Sequence, residues 1–181
     1  MRLFVRFAWL TTPLTGLGFI RVINNLMHVT IRNVPWKFQH GLIRRCCDFV
    51  ISRFCTEELM SQIEIQVVGV KGQYYNEGAL GYCSISDEHF GTNKRIPTWF
   101  TIELDTAMSS DQLFVVLCHE LVHAKQYATL QLRERYHPSY KKFWKEKDIT
   151  DRYYSHQPHE QEAYRKELKL CTQFFASQLE V

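Results

Sequence analysis

The sequence predicts an α+β domain in which a small sheet packs against helices. Three short segments, 63–70, 79–85 and 98–104, are strand candidates, and the first and the third alternate between apolar and polar residues as strands do. Two longer runs, one beginning near Ser109 and one at Pro158, have the apolar spacing of helices. The chain has 181 residues, of which 45% are hydrophobic and 23% charged, which is enough for one domain with a buried core.

The first 26 residues are expected to be a leader of uncertain status. They contain apolar runs punctuated by arginines, and no acidic residue appears before Asp48. Such a start resembles a targeting segment, but a mis-assigned start, with Met27 as the true first residue, or an ordinary folded segment remain alternatives. Proline and glycine interrupt the run well short of a membrane span. We therefore expect one domain over 27–181 and no transmembrane span.

The cysteine pattern favours an intracellular protein. The six cysteines form no C-x-x-C pair and have no regular spacing, so free thiols in a reducing compartment are the simpler interpretation. We expect a cytoplasmic or intracellular location, or a secreted or organellar one if residues 1–26 are a targeting segment. A net charge of +3 is too small to imply nucleic-acid binding by itself.

The first elements follow in order along the chain. The run from Trp36 to Met60 repeats apolar residues at three- and four-residue steps, which predicts one helix packed behind the sheet. The three strands come next, separated by turns at 71–72 and 76–78 and by a loop over 87–97.

The next helix is predicted to begin after Ser109. Ser109 and Gln112 have the spacing of a capping box, and the helix is predicted to run to about Leu132, since no glycine or proline interrupts it. Residues 133–155 are polar, aromatic and irregular, with a short helix predicted at 139–147.

The last helix is predicted to run from Pro158 towards Leu179, because proline suits the first turn of a helix. Its inner face is expected to contain Ala163, Leu168, Cys171, Phe174 and Phe175.

The helix after Ser109 contains the motif His119-Glu120-Leu121-Val122-His123. Histidines four residues apart lie on one face of a helix, so both imidazoles can reach one ion. Glu120 points into the same site without having to be a ligand. Two nitrogen ligands and a carboxylate base are what a zinc hydrolase needs. The alternative is an ordinary amphipathic helix, in which burying these groups without an ion would be costly.

A third zinc ligand has to come from outside this helix. Glu160 and Glu162 lie early in the last helix, and because they are two residues apart only one of them can face the metal. His137, His156 and His159 remain alternatives.

An H-E-x-x-H helix followed by a second helix that opens with E-x-E-A, here residues 160–163, resembles the gluzincin branch of the zincin metallopeptidases. The continuation 124–126 and the strand–strand–helix order are also similar to small SprT-like and phage-type zincins, over roughly residues 63 to 170. The resemblance implies a zincin-like domain with a short mixed sheet on the motif helix and a C-terminal helix that bears Glu160 as the third ligand. It also implies that an edge strand within 79–85 or 98–104 holds an extended peptide.

Two features depart from these families. Many gluzincins have an acidic residue four positions after the ligand glutamate, where it orients a histidine, but Tyr164 occupies that position here. SprT-like proteins typically use a third histidine, a pattern that His137-Pro138 followed by Phe143 faintly resembles.

The expected function is therefore that of a zinc-dependent metallopeptidase, an HExxH endopeptidase with a peptide or protein substrate. It would hydrolyse peptide bonds through a zinc-bound water, with His119, His123 and Glu160 as ligands and Glu120 as general base. Oxyanion donors are sought among Tyr153, Tyr154 and His156.

Two alternative functions are a non-catalytic or regulatory zinc-binding domain and a SprT-like, DNA-associated protease. The second has only the basic-aromatic cluster 141–145 in its favour, and a solvated helix face explains that cluster more simply.

Overall fold

The computed structural model describes residues 27–73, 78–86 and 96–179. The expected leader over 1–26 and much of the predicted loop over 87–97 lie outside the described residues. The described strands are β1 (His28–Arg32), β2 (Glu64–Val70), β3 (Gly81–Ile85), β4 (Trp99–Asp105), β5 (Leu132–Arg135), β6 (Lys141–Trp144) and β7 (Lys147–Asp148). The described α-helices are α1 (His40–Ser52), α2 (Glu57–Met60), α3 (Ser110–Ala128) and α4 (Pro158–Leu179), and 3-10 turns form at Trp36–Phe38 and Tyr154–His156.

The architecture is α+β, as the sequence predicts. Four strands form a mixed sheet in the order β1-β2-β4-β3, in which β1, β2 and β4 are parallel and β3 pairs with β4 in the antiparallel direction. Strands β5, β6 and β7 form a separate antiparallel sheet. Because β4 lies between β2 and β3, β3 is the edge strand that adjoins the motif helix.

Helix α3 lies at the centre of the molecule. Its side chains from Leu117 to Ala128 are all buried, since it contacts α1, α4 and the strands β3 and β4. Phe100, Ile102 and Leu104 alternate along β4 and are fully buried in the same core. The helix begins at a capping box in which the Ser109 hydroxyl accepts from the backbone N–H of Gln112, as the sequence predicts.

The single helix predicted over Trp36–Met60 is wrong. Helix α1 ends at Ser52, and Thr56 starts the separate helix α2 by accepting from the backbone N–H of Leu59. A threonine at an N-cap has an extended backbone and bonds the next helix through its side chain, so the helix before it cannot continue. The apolar periodicity of the sequence does not reveal this break.

The short helix predicted at 139–147 is also wrong. Strands β6 and β7 occupy this segment and are joined by a two-residue turn at Lys145 and Glu146, both of which have positive φ. Pairing of Trp144 with Leu132 buries part of β6 against β5, and this tertiary contact overrides the local helix propensity.

Smaller differences concern the ends and faces of elements. Helix α3 ends at Ala128 because Leu132 begins β5. On α4, Leu168 is 65% exposed and Leu170 faces the core in its place. No helix among the described residues is long and apolar enough to cross a membrane.

Candidate metal centre

Helices α3 and α4 bring His119, His123 and Glu160 together in the interior. The Nε2 atoms of the two histidines are 3.1 Å apart, and each lies 3.4 Å from Oε2 of Glu160. All three side chains are buried, with 6–7% of their surface exposed. Among the described residues, this is the group of histidine, cysteine and acidic side chains that could hold a metal ion.

The spacing of the three atoms fits a small divalent cation. Atoms held at about 2.0–2.1 Å from a common centre in a tetrahedral array are about 3.3–3.4 Å from one another. The observed distances of 3.1, 3.4 and 3.4 Å are close to this requirement. Two imidazoles and one carboxylate also form a donor set that leaves a fourth position open. With the ligands that the described part of the chain supplies, the site is of the open kind rather than the closed, four-ligand kind.

A carboxylate on α4 orients His119. Oε2 of Glu167 lies 2.7 Å from Nδ1 of His119, so this nitrogen donates the hydrogen bond and Nε2 keeps its lone pair for the ion. Burial alone would lower the pKa of His119, but the nearby Glu160, Glu120 and Glu167 outweigh it and raise that pKa. The sequence reasoning missed Glu167, which lies two helical turns after Glu160 on the same face of α4.

Tyr164, four residues after Glu160, packs its ring against that of His119, with the ring centroids 4.7 Å apart. On the other side of the site, Nδ1 of His123 lies 2.9 Å from Oε1 of Gln126, whose side chain is fully buried.

Glu160 is held by further contacts. The Tyr154 hydroxyl donates to Oε2 of Glu160 at 2.7 Å, and Nε2 of His159 lies 3.4 Å from Oε1. Burial alone would raise the pKa of Glu160, but the neighbouring His119, His123 and His159 side chains lower it well below the ordinary range. The carboxylate is therefore held in the ionised form that a metal ligand requires.

Glu120 faces the gap between α3 and β3. Its Oε1 lies next to Gly81, because a Cβ added to this glycine would be only 2.9 Å from that oxygen. Glu120 does not belong to the three side chains that can share an ion. Only 5% of Glu120 is exposed, and burial raises its pKa. A buried carboxylate whose pKa is raised is a stronger base than an exposed one.

The other ligand candidates lie elsewhere. Glu162 points away from the ion site, towards Lys125 and Lys166, as expected for glutamates two residues apart on a helix. His137 and His156 are exposed, and neither joins the group. His159 is buried beside Glu160, but it too lies outside the group of three.

A cavity of about 810 Å³ opens over these residues. Residues 78–83, which include the start of β3, line it together with residues of α3 and α4. Leu132, Glu134 and Lys142 of the three-stranded sheet also line it. The motif residues, Glu160 and Tyr154 therefore face one cleft.

The backbone of β3 offers hydrogen bonds along this cleft. Leu80 and Ser86 are bonded to β4, which by the alternation of an antiparallel ladder leaves the N–H and C=O groups of Gly81, Cys83 and Ile85 directed outward. Among the described residues, no strand pairs with this outer edge.

Comparisons with protein-family models, with curated proteins and with solved structures gave no match for this chain.

Proposed function

We propose that this protein is a zinc-dependent metallopeptidase of the gluzincin type. The observation that carries the proposal is that three ligand atoms with tetrahedral spacing and one non-ligand, buried carboxylate face the same cleft. A site with a purely structural role needs neither an open coordination position nor a base. Zinc suits the two-nitrogen, one-oxygen donor set better than magnesium or calcium, which prefer oxygen ligands.

His119, His123 and Glu160 would hold the ion. When bound, the ion would act as a Lewis acid that polarises a carbonyl oxygen and lowers the pKa of a water molecule. Glu120 accepts one proton from a water molecule while the oxygen of that water bonds to the carbonyl carbon of the peptide. When the C–N bond breaks, Glu120 returns the proton to the leaving amine nitrogen. Burial raises the pKa of Glu120 above its usual value, which makes the carboxylate a stronger base for the first of these transfers.

The substrate would lie along β3 in an extended conformation. The outward backbone groups of Gly81, Cys83 and Ile85 can pair with a peptide main chain, which fixes the scissile carbonyl against the site without selecting a sequence. Of the two strands considered from the sequence, only β3 supports this function, because β4 is paired on both sides.

Tyr154 is proposed as the donor to the developing oxyanion. Its hydroxyl lies 2.7 Å from the ligand atom of Glu160 and lines the cleft, whereas Tyr153 and His156 do not line it. Tyr154→Phe is expected to lower kcat about 10²-fold and to leave KM and zinc content nearly unchanged. Equal loss in kcat for Tyr153→Phe, measured in parallel on the same peptide, would remove this assignment.

The test of the proposed function separates zinc binding from catalysis. Glu120→Gln keeps the shape of the side chain but cannot accept a proton, so peptide hydrolysis should fall by at least about 10³-fold while one zinc ion per chain is retained. Glu57→Gln, on the surface helix α2, is the matched control and should hydrolyse like the natural protein. Zinc is measured by atomic absorption and cleavage with a quenched fluorescent peptide library.

Two outcomes would favour the alternative functions. Tight zinc binding without hydrolysis of any library peptide points to a regulatory zinc-binding domain. Salt-dependent binding to DNA points to a DNA-associated protease. The basic residues of the three-stranded sheet give this second alternative little support, because Lys141 is paired with Asp148 and Lys142 with Glu134.

A further inference from the structure

The buried amide of Gln126 has a defined orientation. Its Nε2 lies 3.0 Å from the backbone carbonyl oxygen of His159 and 2.9 Å from Oε2 of Glu162. A carbonyl can only accept a hydrogen bond, and the Glu162 carboxylate is paired with Lys166 at 2.7 Å and Lys125 at 3.4 Å. Since both neighbours accept, the group that faces them must be the NH₂ of the amide.

This orientation determines which nitrogen of His123 carries the proton. With its NH₂ committed, Gln126 presents Oε1, a pure acceptor, to Nδ1 of His123 at 2.9 Å. His123 must then donate from Nδ1, which leaves the lone pair on Nε2. That lone pair is directed to the position shared with His119 and Glu160, at 3.1 and 3.4 Å.

We propose that Gln126 and Glu162 are positioning residues that hold His123 in its ligand-ready tautomer before any metal is bound. Glu162 is the second glutamate of the E-x-E sequence, so the two glutamates have different tasks: Glu160 supplies a ligand atom and Glu162 fixes the tautomer of a ligand on the other helix. The inference rests on the proposed metal centre but not on the peptidase activity.

The surroundings of Glu162 fit this role. The side chain of Lys125 is only 7% exposed, and its ammonium group contacts Glu162 and donates to Gln131 at 2.8 Å. A buried positive charge therefore holds the Glu162 carboxylate in place. Removing one partner of a buried ion pair is strongly destabilising, so the pairing with Lys125 fixes the position of the carboxylate that accepts from Gln126. The fixed carboxylate in turn specifies the direction of the amide.

The direct test is the tautomer of His123 in metal-free protein. Protein labelled with ¹⁵N in its histidines is studied by long-range ¹H–¹⁵N spectra at about pH 8.5, above the ordinary range in which histidine titrates. The natural protein should show a protonated Nδ1 and an unprotonated Nε2 for His123. In Gln126→Met the acceptor is lost, so the proton should move to Nε2 in part or fully, and the zinc Kd should rise about 10–100-fold in chelator competition.

A conservative variant provides a second check. In Glu162→Gln the new amide oxygen can still accept from Nε2 of Gln126, and the His159 carbonyl still accepts as well, so the Nδ1–H tautomer and most of the zinc affinity should be kept. Gln161→Met is the matched control, since the side chain of the exposed Gln161 donates to the Ser155 carbonyl oxygen and not to a residue of the metal centre.

An Nε2–H tautomer in the natural protein would overturn the proposal, even if Gln126→Met fails to fold. Unchanged tautomer and zinc Kd in a folded Gln126→Met protein would also overturn it. Neither readout depends on hydrolysis, so a protein that binds zinc through the proposed tautomer but cleaves no peptide would refute the peptidase function alone.

Discussion

Gly81 lies on the edge strand next to the buried carboxylate of Glu120. A Cβ at this position would lie 2.5 Å from Cγ1 of Val116 and 2.9 Å from Oε1 of Glu120. Both contacts are shorter than real Cβ contacts, so the strand and the helix that bears Val116 and Glu120 have to shift, and Glu120 changes its position relative to β3. Gly81→Ala is therefore expected to lower kcat at least about tenfold, since small misplacements of a reacting group are costly. Zinc affinity should stay unchanged, because neither Gly81 nor Glu120 supplies one of the three ligand atoms.

The control for this prediction is Gly41→Ala in the first turn of α1. The nearest atom to a Cβ there is the flexible Nη1 of Arg45 at 3.5 Å, so this variant should be fully active and slightly more stable. Steady-state kinetics and zinc titration of both variants decide the matter. If Gly81→Ala keeps full kcat, Glu120 does not act from the position described.

At the residue scale, helical spacing was enough to predict that His119, Glu120 and His123 face one site. It was also enough to predict that only one of Glu160 and Glu162 faces the metal. It could not find Glu167, because the contact with His119 depends on how α4 lies across α3 and not on either helix alone. The orientation of Gln126 was hidden for the same reason, since it depends on Glu162 and on the backbone of His159, both from the other helix.

At the element scale, the turn between β6 and β7 shows where local propensity misleads. Lys145 and Glu146 are good helix formers, yet they have φ of 45° and 70° in a two-residue hairpin turn. Such turns favour Asn-Gly, because side chains with a Cβ are strained at positive φ. The charged pair is kept by contacts that the sequence does not reveal, with Arg133 bonded to Glu146 and Lys145 lying over the ring of Trp144.

Replacing Lys145 by Asn and Glu146 by Gly is expected to stabilise the protein by about 1 kcal/mol, because relief of about 1–2 kcal/mol of strain per residue exceeds the worth of the exposed ion pair and cation–π contact. Urea unfolding followed by tryptophan fluorescence measures the change. Lys147→Asn, in the adjoining strand, should give no gain. A double variant less stable than the natural protein would mean that the two lost contacts outweigh the backbone strain.

At the scale of the whole molecule, the sequence predicted the helices and strands that form the site but not the arrangement that brings them together. Strand β1 was not predicted, although Val29 and Ile31 alternate, because five residues give too weak a pattern. The three-stranded sheet was not predicted either, since its residues are mostly polar and its strands are short. Both gain stability from pairing with distant segments, which no local pattern contains.

The ligands come from two helices that are separated in the chain by the whole three-stranded sheet, so metal binding should stabilise the fold as a unit. An ion held by His119, His123 and Glu160 ties α3 to α4 only in the folded state, where their atoms lie within 3.1–3.4 Å. Free zinc at about a thousand times its Kd is then expected to add about 4 kcal/mol to the free energy of unfolding, and a chelator should remove this gain. Glu160→Gln should lose most of the gain, whereas Glu57→Gln should keep it. Since unfolded histidines bind zinc only weakly, equal stability of the natural protein with zinc and with chelator would mean that the three side chains do not hold an ion together.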